Sequence, residues 1–161
     1  LELTQVKARR HILIAYVSAY GFTKEAAGLI ASAIREVSDF AVELVDIEHI
    51  GLEELDAHLT VSDAIIAGSP TINQNTLLPV YKLFALLNPL RDKGKLAGAF
   101  GSYGWSGEAT KIILENFRNL KLKVFEAPGA FKFLPGGDKA EALKEYGRSF
   151  ALEFEKECAQ K

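Results

Sequence analysis

The pattern that most constrains this chain is the repeated alternation of short apolar runs with longer segments of helical periodicity. The first run, His11 to Val17, is almost entirely apolar, as a strand buried on both faces should be. Similar runs follow at Phe40 to Ile47, Asp63 to Gly68, Lys95 to Phe100 and Leu120 to Phe125. Strand and helix alternating about five times predict an α/β fold, with a parallel sheet between two layers of helices.

The helical segments have apolar residues at the spacing of an amphipathic helix. In the first this face carries Ala27, Ile30, Ala31 and Ile34, and in the last it carries Leu143, Gly147, Phe150 and Phe154. The first helix is predicted to begin at Thr23, and the last is predicted to follow Asp138 as its N-cap. Between them, helices are predicted at Gly51 to Leu59, at Leu77 to Leu87 with a stop near Pro89, and at Ala109 to Phe117.

The order of the strands follows from the handedness of their connections. Right-handed crossovers leave two common orders, and five strands favour the doubly wound order 2-1-3-4-5. Strand 1 then lies beside strand 3, so the loops after strands 1, 3 and 4 meet at one edge. Open α/β sheets bind small molecules at this edge, and we therefore expect the three loops to form one site.

The first loop consists of Ser18, Ala19, Tyr20, Gly21, Phe22 and Thr23. It joins a buried strand to a helix N-terminus, where free amides and the helix dipole favour an anion. Neither a Walker pattern nor Gly-x-Gly-x-x-Gly is present, so a single phosphate held by amides and hydroxyls fits better than a dinucleotide. The alternative is an ordinary turn in which Thr23 is a plain N-cap.

The second loop begins with Ser69, Pro70, Thr71, Ile72 and Asn73. Its amides and hydroxyls directly follow a buried strand, and proline fixes part of its backbone. Such a loop can hydrogen-bond the edge of a heteroaromatic ring. The alternative is a polar turn that caps the next helix.

The third loop contains the only tryptophan of the chain, Trp105, among the glycines Gly101, Gly104 and Gly107. Glycine allows the backbone to bend or to approach a ligand closely, and tryptophan covers a large flat surface. The loop therefore predicts contact with a planar ligand. The alternative is that Trp105 packs into the core.

The remaining residues exclude several classes of function. A net charge of -2 gives no indication of nucleic-acid or membrane binding, and no apolar stretch approaches the length of a membrane span. A single cysteine, Cys158, excludes an internal disulfide and fits a reducing, cytoplasmic compartment. The three histidines lie far apart, so we expect no metal site, and no general acid or base stands out. Glu53, Glu54 and Asp56 are expected on a solvated helix face.

Two motifs resemble the flavodoxin-like domain of flavodiiron proteins, also called A-type flavoproteins. They are Gly68 to Asn73 and Phe100 to Glu108, within a match that runs from His11 to Val124. The resemblance implies non-covalent FMN, with its phosphate on the first loop and its isoalloxazine ring between the other two. The residues implied in the third loop are Ser102, Tyr103, Gly104, Trp105 and Gly107.

The resemblance also implies a larger parent, an NAD(P)H:oxygen or nitric oxide oxidoreductase. This domain would relay electrons from a reductase to a diiron site in a metallo-β-lactamase-like domain. Cyanobacterial diflavin members add a flavin reductase domain, and a homodimer is left open. The chain starts at Leu1 and contains no methionine, so we expect residues 1–161 to be one domain excised from such a parent, with 1–10 as a linker.

Two other interpretations stay open. One is a stand-alone electron carrier of the flavodoxin type, although a net charge of -2 gives little long-range steering towards a partner. The other is a scaffold or dimerisation module that has lost FMN. Phe22 favours this second alternative, because the family often has asparagine at that position.

Overall fold

The computed structural model describes residues 10–17, 22–47, 50–69, 81–101, 108–125 and 139–159. Each of the first four strands lies within one residue of the apolar run that predicted it. The strands are β1 His11–Tyr16, β2 Ala41–Asp46, β3 Ala64–Ser69, β4 Leu96–Gly101 and β5 Lys123–Val124.

The sheet has five parallel strands in the order β2-β1-β3-β4-β5, which confirms the predicted topology. β1 lies between β2 and β3, so the chain reverses its direction of growth across the sheet after β2. Such a reversal leaves a crevice between the loops that leave the two neighbouring strands. The switch point therefore lies between β1 and β3, where it was expected.

Helices cover both faces of the sheet and complete a three-layer α/β/α fold. One buried cluster joins the sheet to α1 and α6, and a second joins its other face to α2, α3 and α5. The predicted faces of the first and last helices are confirmed, since their apolar residues are buried. The helices are α1 Phe22–Val37, α2 Leu52–Val61, α3 with its described part at 81–86, α4 Pro89–Asp92, α5 Glu108–Asn119 and α6 Lys139–Ala159.

The fifth strand is much shorter than the predicted run from Leu120 to Phe125. Lys121 has a positive φ of 71°, and the amide of Leu122 donates to the carbonyl of Phe117 at 3.1 Å. These are the features of a Schellman C-cap, with lysine where glycine is usual. The apolar residues at 120–122 therefore end α5 and only two residues extend the sheet.

The short helix α4 was not predicted. Pro89 is its first residue, and the side chain of Asn88 accepts a hydrogen bond from the amide of Leu90 at 2.9 Å. Proline thus starts a helix here instead of only ending one. Glu53 and Glu54 are exposed, as expected for a solvated helix face, and Asp56 beside them keeps 46% of its side chain exposed while it pairs with Arg91 of α4 at 3.1 Å.

Candidate functional site

The carboxyl ends of β1, β3 and β4 lie side by side at one edge of the sheet. Tyr16 pairs with Gly68, which in turn pairs with Phe100. The amide of Val17, the last described residue before the first loop, donates to the carbonyl of Gly68 at 3.1 Å, so the chain stays bonded to β3 one residue beyond the end of β1. The chain leaves these three strand ends towards the three predicted loops, which must therefore start next to one another.

The predicted site residues lie almost entirely outside the described ranges. Phe22, Thr23 and Ser69 are described, and the other predicted cofactor-binding residues are not. α1 begins at Phe22, so Thr23 lies inside the first turn of the helix instead of opening it. Ser69 is the last residue of β3 and pairs with Gly101, which places the starts of the second and third loops next to each other.

A glycine and a phenylalanine fill the space directly beneath these strand ends. Phe100 is fully buried, and its ring lies over Gly68 on the neighbouring strand. A Cβ at position 68 would fall among the ring atoms, two of which would lie 2.6 and 2.7 Å away. Only glycine leaves room for the ring in this position. We call Gly68, Phe100 and Tyr16, which belongs to the same core cluster, the aromatic floor of the site.

Tyr16 contributes a neutral hydroxyl to the aromatic floor. Burial raises the pKa of this phenol above its usual value, and the carboxylate of Asp46 raises it further. Asp46 pairs with Tyr16 in the sheet register. Tyr16 therefore stays protonated at neutral pH and brings no charge to the edge of the sheet.

The groups that the loops supply fit FMN. Residues 18–23, 69–76 and 101–107 contain no charged side chain but many hydroxyls, amides and glycines. The first of these segments leads into the N-terminus of α1, where an anion is favoured. Neutral donors suit a phosphate ester and the polar edge of a flavin, and the glycines allow close approach of the backbone.

The histidines do not form a metal site in the part of the chain that the structure describes. Nowhere in those residues do three or more potential ligands cluster. His58 instead lies 2.6 Å from a carboxylate oxygen of Glu43, a pair that joins α2 to the edge strand β2. None of the described helices is long and apolar enough to cross a membrane.

Comparison with known proteins identifies relatives of this fold. The family model for flavodoxin matches residues 14–147. The flavo-diiron protein FprA2 of Clostridium acetobutylicum is 38% identical over 143 residues, which cover 88% of this chain and 36% of that protein. This chain therefore spans about a third of the length of that relative.

Two solved structures show the same architecture. The rubredoxin oxygen:oxidoreductase of Desulfovibrio gigas is 26% identical with a TM-score of 0.76, over 96% of this chain and 39% of that one. A flavodoxin from the domain Archaea is 30% identical with a TM-score of 0.67, over 90% of this chain and 99% of that one. The same fold therefore occurs within a larger oxidoreductase and as a separate protein.

Proposed function

Since the chain belongs to the flavodoxin family, we propose that it is the FMN-binding electron-transfer domain of a flavodiiron oxidoreductase. FMN is the cofactor of flavodoxin domains. The observation that carries the proposal is the meeting of three strand ends, each followed by an uncharged segment, at the switch point of the sheet. When bound, FMN supplies the electron transfer, and the protein supplies binding, orientation and a suitable electrostatic environment.

Each loop has a separate part in this proposal. Ser18 to Thr23 bind the phosphate through amides and hydroxyls at the start of α1. Ser69 to Asn73 hydrogen-bond the edge of the ring, and Ser102 to Gly107 lie against it, with Trp105 nearest. The aromatic floor supports the second and third loops from below, because Gly68 and Phe100 each stand one residue before the strand end.

The parent protein is also part of the proposal. Electrons would enter from an NAD(P)H-linked reductase and leave to a diiron site in a neighbouring domain, which reduces oxygen or nitric oxide. The identity to a flavo-diiron protein, and the coverage of about a third of its length, support this arrangement. In it, residues 1–161 form one domain of a longer chain, which works in the cytoplasm.

A free electron carrier is the second candidate function. The observation in its favour is that this chain covers 99% of an archaeal flavodoxin. The length of the protein in its native cells separates the two functions. A species about three times as long as this chain supports a flavodiiron parent, because the chain spans 36% of the flavo-diiron relative. A species of 161 residues supports the free carrier.

Titration of the purified protein with FMN tests the central part of the proposal. We expect the flavin fluorescence to be quenched at a ratio of one FMN to one chain, and the visible bands to shift. A protein that neither carries FMN nor binds it on addition would contradict the proposal and favour a scaffold.

A further inference from the structure

Among the described residues, the ladder between β4 and β5 reaches only the middle of β4. The amides of Lys123 and Phe125 donate to the carbonyls of Lys95 and Ala97, at 2.8 and 2.7 Å. Every second carbonyl of a strand faces the same neighbour, so the next carbonyl on this edge of β4 belongs to Ala99. Among the described residues, β5 extends only to Val124 and pairs no further along β4 than Ala97.

A tyrosine of the last helix donates to that next carbonyl. The hydroxyl of Tyr146 in α6 lies 3.2 Å from the carbonyl oxygen of Ala99, and both residues are buried. The hydroxyl reaches this point because Gly98 has no side chain, and a Cβ there would overlap the tyrosine oxygen. A buried carbonyl without a donor is costly, and the tyrosine hydroxyl supplies a donor to this one.

One phenylalanine packs against the tyrosine ring, and a second packs against the first. The rings of Phe125 and Tyr146 meet edge to face, with centroids 5.5 Å apart. Phe125 meets Phe150 in the same manner at 5.3 Å. Phe150 would also lie 3.2 Å from a Cβ at Gly98. The tyrosine is thus fixed by packing on α6 and β5, while its hydroxyl acts on β4.

We propose that Tyr146 is a positioning residue for FMN, because it fixes the carboxyl end of β4 from which the third loop starts. The inference rests on the proposed function. Ala99 lies two residues before Gly101, the last residue of β4, and segment 102–107 with Trp105 follows directly. Burial raises the pKa of the Tyr146 hydroxyl, so it remains a protonated donor at physiological pH.

The variant Tyr146→Phe keeps the ring and removes the hydroxyl. We expect FMN to bind about twofold to twelvefold more weakly, since a hydrogen bond of this kind contributes about 0.5–1.5 kcal/mol. We also expect the fluorescence of Trp105 to change in the FMN-free protein.

Ser62→Ala is the matched control. It too removes a buried hydroxyl that donates to a backbone carbonyl, that of Leu59 at 2.9 Å. Ser62 stands before the first residue of β3, at the opposite edge of the sheet from the site. A comparable loss of stability with unchanged FMN affinity is expected for this variant.

The double variant Tyr146→Phe with Gly98→Ala separates positioning from packing. The added methyl group occupies the space that the hydroxyl leaves and contacts the ring of Phe150 at 3.2 Å, so packing is partly restored, but the carbonyl of Ala99 no longer receives the hydrogen bond of the tyrosine. We expect FMN affinity to stay low. Recovery of affinity together with stability would overturn the inference.

Two other outcomes are also decisive. If the unmodified chain binds FMN and Tyr146→Phe binds it equally well, the inference is wrong and the proposed function stands. If the unmodified chain does not bind FMN at all, both are wrong.

Discussion

Gly68→Ala probes how closely the aromatic floor is packed beneath the site. The new methyl group would overlap the ring of Phe100, which is fully buried. The ring and the end of β4 must therefore move away from β3. Because Ser69 and Gly101 are the neighbours of these two residues, the starts of the second and third loops move with them.

The size of the effect follows from the overlap. Adding a methyl group to a well-packed core costs about 1–3 kcal/mol of folding free energy. With a urea m-value of about 2 kcal/mol/M, the unfolding midpoint falls by about 0.5–1.5 M. If FMN binding must overcome about half of this free-energy cost, the affinity for FMN falls by up to about tenfold, since 1.4 kcal/mol corresponds to a factor of ten.

Urea unfolding of the FMN-free protein and titration with FMN measure the two effects separately. Gly28→Ala is the control, because a Cβ at this position in α1 would have no neighbour within 4 Å. Alanine is a better helix former than glycine, so this variant should gain about 0.5–1 kcal/mol. A Gly68→Ala protein as stable as the unmodified chain, with the same FMN affinity, would refute the packing that we describe.

Two further predictions concern the third loop and the amino-terminal edge of the sheet. Trp105→Ala should weaken FMN binding in a fluorescence titration, and unchanged affinity would show that the ring of Trp105 does not contact the flavin. Burial alone would raise the pKa of Asp92, but hydrogen bonds from Arg91, Lys95 and the amide of Asn88 outweigh it, so the pKa lies below its usual value. Asp92 therefore stabilises the fold above the unfolded-state pKa of about 4, and this contribution is lost as the pH falls further. Asp92→Asn should lower the free energy of unfolding by about 3 kcal/mol at pH 7. It should also make that free energy fall less steeply as the pH is lowered into the acid range. If the fall is as steep as in the unmodified chain, other carboxylates cause it.

The parts of the fold that follow from local pattern were predictable from the sequence. Buried parallel strands are continuous apolar runs, so β1 to β4 were each found to within one residue. The strand order followed from the handedness of crossovers, and this order predicts that the three loops start at one edge of the sheet.

The sequence predictions failed where the same residue pattern is compatible with two different local structures. Leu120 and Leu122 are as apolar as strand residues, but they pack around a helix C-cap that Lys121 forms with a positive φ. The helix predicted to stop near Pro89 does end at residue 86, but proline is equally suited to the first turn of a helix, and the start of α4 at Pro89 was missed. Two local hydrogen bonds favour the start of a helix here: the side chain of Asn88 accepts from the amide of Leu90, and the amide of Asn88 donates to the buried carboxylate of Asp92.

The contacts that lie beneath the three loops were not predicted from the sequence. That Phe100 lies over Gly68 depends on the register of β3 and β4, and that Tyr146 reaches Ala99 depends on how α6 crosses the sheet. The one available signal was the helical spacing of Tyr146, which falls three residues after Leu143 and four before Phe150 on the buried face. The residues of the loops themselves remain predictions.

A redox titration of the FMN-reconstituted protein tests the central claim most directly. The second and third loops contain no lysine or arginine, so nothing in them offsets the negative charge that the flavin gains on full reduction. We expect bound FMN to be reduced and reoxidised reversibly, with a second potential lower than that of free FMN. A flavin that does not remain bound through the cycle, or a second potential equal to or above that of free FMN, would contradict an electron-transfer site of this kind.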